Sequence, residues 1–180
     1  EVDGEKQKTD RYVTFWNEFG RMIKEGVYHE IDARDRLAAL LRFHSTHGDA
    51  LTSLADYAGR MGSEQKSIYY VAADSLAAAR SSPHIEALRK RGFEVLLMTD
   101  PIDEWVVDAL RKHGDKPFVS AAKGALDLPE DEAEKKHKEA KEKELAPVVE
   151  RLGKALAQSV KSVRVTDRLT DSPACLVADE

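Results

Sequence analysis

One cysteine, Cys175, stands in 180 residues. An internal disulfide is therefore excluded, which fits a reducing, cytoplasmic compartment. No apolar run approaches the roughly 20 residues of a membrane-spanning helix, so a membrane is not an expected partner. No signal-peptide pattern is visible, and the chain opens at Glu1 without an initiator methionine, as a processed chain or a piece of a longer protein would. Positive charge is not in excess. The net charge of -5 argues against a general nucleic-acid binder. The ten glycines are dispersed. They form neither a G-x-G-x-x-G turn nor a P-loop, and no G-x-S-x-G elbow occurs. No local motif cradles a phosphate, and none supplies a catalytic or cofactor-binding residue.

What is present centres on residues 92–107. Gly92 is a stop. Phe93 to Met98 form an apolar run too continuous for a half-exposed sheet, as expected of a strand buried on both faces. Asp100 can cap a helix with Pro101 at its first position, and Asp103 suits the positive end of the helix dipole.

Upstream, a first helix is expected from Thr9 or Asp10 to Gly26, its face made by Tyr12, Phe15, Phe19, Met22 and Ile23 and widened by Trp16. A second is expected from Asp32 to Phe43 with Leu37, Leu40 and Leu41 inward. A polar loop spans His44 to Asp49, and Ser53 starts a third helix. The pattern then changes. Ser67 to Ala72 favour a strand. Asp74 can cap a short helix, and Ser82-Pro83 opens another that ends at Gly92. A helix from Asp103 to about Lys112 and a strand from Pro117 to Ala121 complete a β-α-β-α-β order, hence a small parallel sheet. Leu126 to Pro129 mark a boundary. Glu130 to Glu144 read as a solvated charged helix, with pairs such as Glu139 and Lys143 at helical spacing. Pro147 is expected to kink or restart it. An amphipathic stripe follows through Val148, Leu152, Leu156 and Val160. Strands are expected at Val163–Val165 and Ala174–Ala178. The fold class is thus α/β. A helical unit covers about 10–62, an α/β/α unit about 66–122, and residues 127–180 hold a linker helix and the first part of an α+β domain.

Three constellations could carry chemistry. Asp100, Asp103 and Glu104 could hold Mg²⁺ for phosphoryl transfer, or be a capped helix start. His44 and His47 with Asp49 could be part of a zinc site, although a lone H-x-x-H usually marks a surface loop. Cys175 reads as a small buried residue. Trp105 sits beside the stripe Ile102, Val106, Ala109 and Leu110. It is either a partly exposed protein-binding aromatic next to Glu104 or a ring lying over the core edge.

Several blocks in order resemble the heat shock protein 90 chaperones. They are Leu40-Leu41-Arg42-Phe43-His44-Ser45-Thr46 with Ser53-Leu54, Tyr57 and Arg60-Met61, then Gln65 to Tyr70, and Ser82-Pro83 with Glu86. Gly92 to Trp105 and Arg168-Leu169-Thr170 with Ser172-Pro173 follow. The likeness runs from about Tyr12 to Val177, and Trp105 with the short linkers leans toward the bacterial branch. It implies an ATP-dependent, stress-response chaperone that binds unfolded clients and admits co-chaperones. Residues 1–126 would belong to its middle domain and 127–180 to the start of its C-terminal domain. It implies no catalytic, cofactor-binding or metal residue here, since ATP and Mg²⁺ bind elsewhere in the full-length family. The dimer helices also lie elsewhere, so the chain is expected to be monomeric. Glu104 and Trp105 are the positions expected to touch clients.

Overall fold

A computed structural model describes residues 2–124, 126, 128 and 132–178. The chain opens with α1 (Val2–His29), longer than expected at both ends. Gly26 does not stop it, because the helix closes one turn later with Glu30 N–H on the Gly26 carbonyl at 2.8 Å. The buried face is also displaced from the expected one. Trp16, Lys24 and Val27 are buried, whereas Phe15, Phe19 and Met22 are exposed. Tyr12 and Ile23 lie at the margin of the core. Two apolar stripes overlap on this helix, and periodicity alone does not say which one meets the sheet. Gly20 belongs to the buried stripe. A Cβ there would lie 2.7 Å from the Trp16 indole, so the ring covers the helix where a side chain is missing.

The expected second helix is cut short. A 3-10 turn (Ile31–Ala33) and α2 (Arg34–Ala38) end before the leucines do. Leu41 is fully buried but Leu40 is exposed. The expected polar loop is a β-hairpin, β1 (Phe43–Ser45) and β2 (Gly48–Thr52), in which Phe43 faces Thr52. α3 (Leu54–Arg60) starts as read: Ser53 Oγ accepts the Asp56 N–H at 3.0 Å. After β3 (Ile68–Ala72), Ser75 and not Asp74 caps α4 (Leu76–Arg80). Ser82-Pro83 opens a 3-10 turn that runs into α5 (Glu86–Lys90). Gly92 then ends α5 at φ +74°, a backbone that L side chains rarely adopt. Phe93 N–H reaches the Leu88 carbonyl and Gly92 N–H the Arg89 carbonyl, both at 2.9 Å. This Schellman ending turns the chain directly into β4 (Val95–Met98).

α6 (Asp103–Leu110) follows, then a small hairpin of β5 (Lys112–His113) and β6 (Lys116–Ser120). The sheet order is β2-β1-β4-β3-β6-β5. Its centre, β4-β3-β6, is parallel as expected, and antiparallel hairpins extend both edges. Strand alternation sorts the core into two layers. Ile68, Tyr70, Leu96 and Met98 join Trp16, Val27, Val106 and Val107 on one face. Tyr69, Val71, Val95 and Leu97 join Ala79, Ile85 and Leu88 on the other. β4 is therefore buried on both sides, which accounts for its unbroken apolar run.

At the expected boundary, Leu126 and Leu128 pack on the second layer, while Asp127, Pro129 and Glu130 lie outside the described residues. α7 (Glu132–Ala155) is one helix that runs through Pro147 without the expected restart. Its apolar positions Leu145, Val148 and Leu152 are exposed. The two strands expected after it are absent from the described residues. Val163 and Val165 alternate with exposed neighbours, but no ladder forms, and an isolated bridge joins Ala178 to Lys123. A strand needs a partner, and this stretch finds one at a single position.

Candidate functional site

The corner between β4 and α6 gathers the chemistry. The expected cap is rearranged. Asp100 does not cap α6 through its side chain. Instead, Asp103 Oδ2 reaches back to accept the Asp100 N–H at 3.0 Å, and Asp103 N–H donates to the Asp100 carbonyl at 2.9 Å. The turn is thus closed from its far end.

Sequence reasoning missed the group that holds this turn. Lys24 of α1 is buried, with its ammonium 2.7 Å from Asp103 Oδ1 and 2.5 Å from Asp100 Oδ2. The Trp16 and Phe43 rings flank it, their centroids 5.8 Å and 5.2 Å from Nζ. A lysine on the apolar face of a helix is ordinarily read as solvent-facing, so no local signal marks it. Asp103 is only 1% exposed. Burial pushes its carboxyl above the usual range, against the pull of the Lys24 charge and the hydrogen bonds it accepts. A cavity of about 250 Å³ opens beside the pair, lined in part by Trp16, His44 and Thr99.

The three acids do not converge. Asp100 and Asp103 share Lys24, while Glu104 pairs with Lys123 at 2.8 Å. An ammonium occupies the space that a hard cation would need. The histidine set is likewise dispersed. His44 lies in β1 opposite Leu97, the His47 backbone N–H donates to Ser45 Oγ, and Asp49 pairs with Arg80. Burial, then the Arg80 and Lys24 charges, lower the His44 pKa. Among the described residues no three His, Cys, Asp or Glu side chains group as metal ligands. Cys175 lies half-buried in a loop, neither fully buried nor in the expected strand. Burial raises its thiol pKa, so it is held as the neutral thiol.

Trp105 is 54% exposed. Its ring meets Tyr28 of α1 edge-on, with centroids 5.1 Å apart. Arg34 fixes this contact from below. It donates to the carbonyls of Val27 and Tyr28 at the end of α1 and to that of Ala109 near the end of α6. Cationic side chains suit the negative ends of helices, and here one guanidinium ties two such ends together. Trp105 is therefore an outward aromatic on a rigid base. The buried stripe beneath it is Asp103, Val106 and Val107, while Ala109 and Leu110 are half-buried.

The separate sequence blocks also meet in space. The Tyr57 hydroxyl donates to the Glu94 carbonyl and accepts from Gln65 Nε2 at 2.7 Å and from Tyr69 N–H at 3.1 Å. Burial raises its pKa, so the phenol stays protonated. Arg60 forks onto both Glu94 oxygens at 2.9 Å and 2.8 Å and reaches Thr52 Oγ1 at 2.7 Å. Glu86 binds Ser172 across the chain.

The family model described as Hsp90 protein matches residues 2–180. The chain belongs to the heat shock protein 90 family. A chaperone protein HtpG from Aromatoleum aromaticum is 53% identical over 176 residues, which is 95% of this chain and 27% of that protein. The HtpG of Burkholderia ambifaria is 51% identical over 98% of this chain and 28% of its own length. That of Myxococcus xanthus is 49% identical over 97% and 27%. The chain thus spans less than a third of the length of these bacterial heat shock protein 90 relatives. No helix among the described residues is long and apolar enough to cross a membrane.

Proposed function

We propose that this chain is the client-contacting part of an ATP-dependent, cytoplasmic molecular chaperone, with Glu104 and Trp105 on the contact surface. The observation that supports it best is the half-exposed Trp105, seated on Tyr28 beside a carboxylate, on a helix whose first residue is held in a buried ion pair. An exposed aromatic on a preorganised base offers apolar area at small entropic cost, which suits unfolded polypeptide and co-chaperones alike. Residues 1–126 act as part of the middle domain and 127–180 as the start of the C-terminal domain. ATP and Mg²⁺ bind elsewhere in the full-length protein, as does the dimer partner, so the chain is a monomer without turnover of its own.

The test is affinity for a permanently unfolded, reduced and carboxymethylated polypeptide, followed by fluorescence anisotropy. Trp105→Ala should weaken binding about tenfold or more, as loss of a hot-spot tryptophan does. Unchanged affinity would remove Trp105 from the surface. Magnesium-dependent ATP turnover by residues 1–180, abolished in Asp100→Ala, would favour the rival phosphotransfer enzyme built on Asp100, Asp103 and Glu104.

A further inference from the structure

We propose that Glu86 is a latch: its carboxylate holds residues 168–172, downstream of α7, on the α/β unit, and its release frees that segment while the sheet stays folded. Glu86 is the first residue of α5. Its Oε2 accepts three successive backbone N–H groups, Thr170 at 2.6 Å, Asp171 at 2.9 Å and Ser172 at 3.2 Å. Its Oε1 accepts the Ser172 hydroxyl. Consecutive N–H groups converging on one anion form a nest, and charge-assisted bonds of this kind are roughly twice as strong as neutral ones.

Neighbouring contacts complete the fastening. The Arg168 carbonyl accepts the Ala87 N–H at 3.1 Å, and its guanidinium donates to the Gly124 carbonyl at 2.6 Å. Ala178 exchanges backbone bonds with Ala122 and Gly124 at 3.3 Å and 3.1 Å. Lys138 of α7 pairs with Asp167 at 3.1 Å, so the strap is tied to the long helix as well.

The hold is polar. Leu176 is 78% exposed, and Arg168 is the one residue buried between 161 and 178. A segment fastened by hydrogen bonds with little apolar burial opens at a lower free energy than the core. The sheet does not depend on it, because both core layers are built from residues before 129. The latch therefore gives the α/β unit and the region around α7 a shared, separable set of contacts.

Hydrogen–deuterium exchange of the 180-residue chain tests this directly. Glu86→Ala should speed exchange at Thr170, Asp171 and Ser172 by about tenfold or more, with β3 and β4 amides within about twofold of wild type. Trypsin cleavage after Arg168 should accelerate in parallel. Glu86→Gln retains one acceptor oxygen and should fall between the two. Ser172→Ala, which removes only the hydroxyl bond, should do less than Glu86→Ala. Unchanged exchange at 170–172 would overturn the latch. So would a parallel rise in β3 and β4, or loss of the sheet in Glu86→Ala, because Glu86 would then be part of the fold itself.

Discussion

Asp103 and Glu86 are both acids at helix starts, and both hold a remote part of the chain. Their surroundings are opposite. Asp103 is buried and faces an ammonium, and burial raises its carboxyl above the ordinary 3.8. Glu86 faces backbone N–H groups and a hydroxyl near the surface, and those bonds lower its carboxyl from the ordinary 4.5 to about 2. The same chemistry thus serves two ends. A charge taken out of water needs its partner permanently, since separation leaves it stranded. A charge at the surface can exchange protein donors for water, so its contact can open. The first fixes the corner that carries Trp105. The second fastens a strap.

The contrast breaks most sharply at Lys24. Lys24→Met leaves Asp103 buried without its counter-charge and should cost about 3–5 kcal/mol in urea unfolding. A loss below about 1 kcal/mol would place this pair in the class of surface ion pairs and end the comparison. Trp105→Ala comes next. It removes an edge-to-face contact with Tyr28 and should cost about 0.5–1.5 kcal/mol, not the 3–5 of a core aromatic. The smallest effect on global stability is expected from acid titration of the latch. Because the folded Glu86 pKa is depressed, its contribution is complete above 4.5 and is lost only as pH falls through about 2. Asp103 has the opposite sign. Its raised pKa makes its burial more favourable as pH falls from the folded-state value toward 3.8, and the gain is complete below 3.8. Amide protection at Thr170 to Ser172 should therefore persist through pH 4, with Arg168, Cys175 and Asp171 as the nearby charged or titratable groups. Loss of protection near 4.5 would mean that the nest does not hold the charged form.

Much of this was legible because local rules and burial agree. β4 reads as buried because both its faces are covered, Gly92 as a stop because only a positive φ closes that Schellman turn, and Ser53 as a cap because its hydroxyl meets Asp56 N–H. Trp105 reads as lateral because its position on α6 is off the apolar stripe. The β1–β2 hairpin was hidden because Gly48, Asp49 and Ala50 are exposed and show no alternation. Lys24 was hidden because only tertiary structure gives a lysine two buried faces of contact and two carboxylates. The exposed Phe15 and Phe19, whose ring centroids lie 5.2 Å apart, read as core in sequence because their spacing satisfies the same helical period as Trp16 and Val27. The strands after residue 160 failed for a different reason: alternation in sequence specifies an extended chain, not a partner.

The proposed role of the β4–α6 corner is to present Trp105 for contact. The chain has two tryptophans, and Trp16 is buried, so Trp16→Phe leaves Trp105 as the sole indole reporter. Acrylamide quenching of that variant, without and with saturating unfolded polypeptide, is the most direct measurement. Quenching should be efficient in the free chain and fall by about twofold or more, with a blue-shifted emission, once the polypeptide covers the ring. Equal quenching in both states, while anisotropy shows the polypeptide bound, would place Trp105 outside the contact surface.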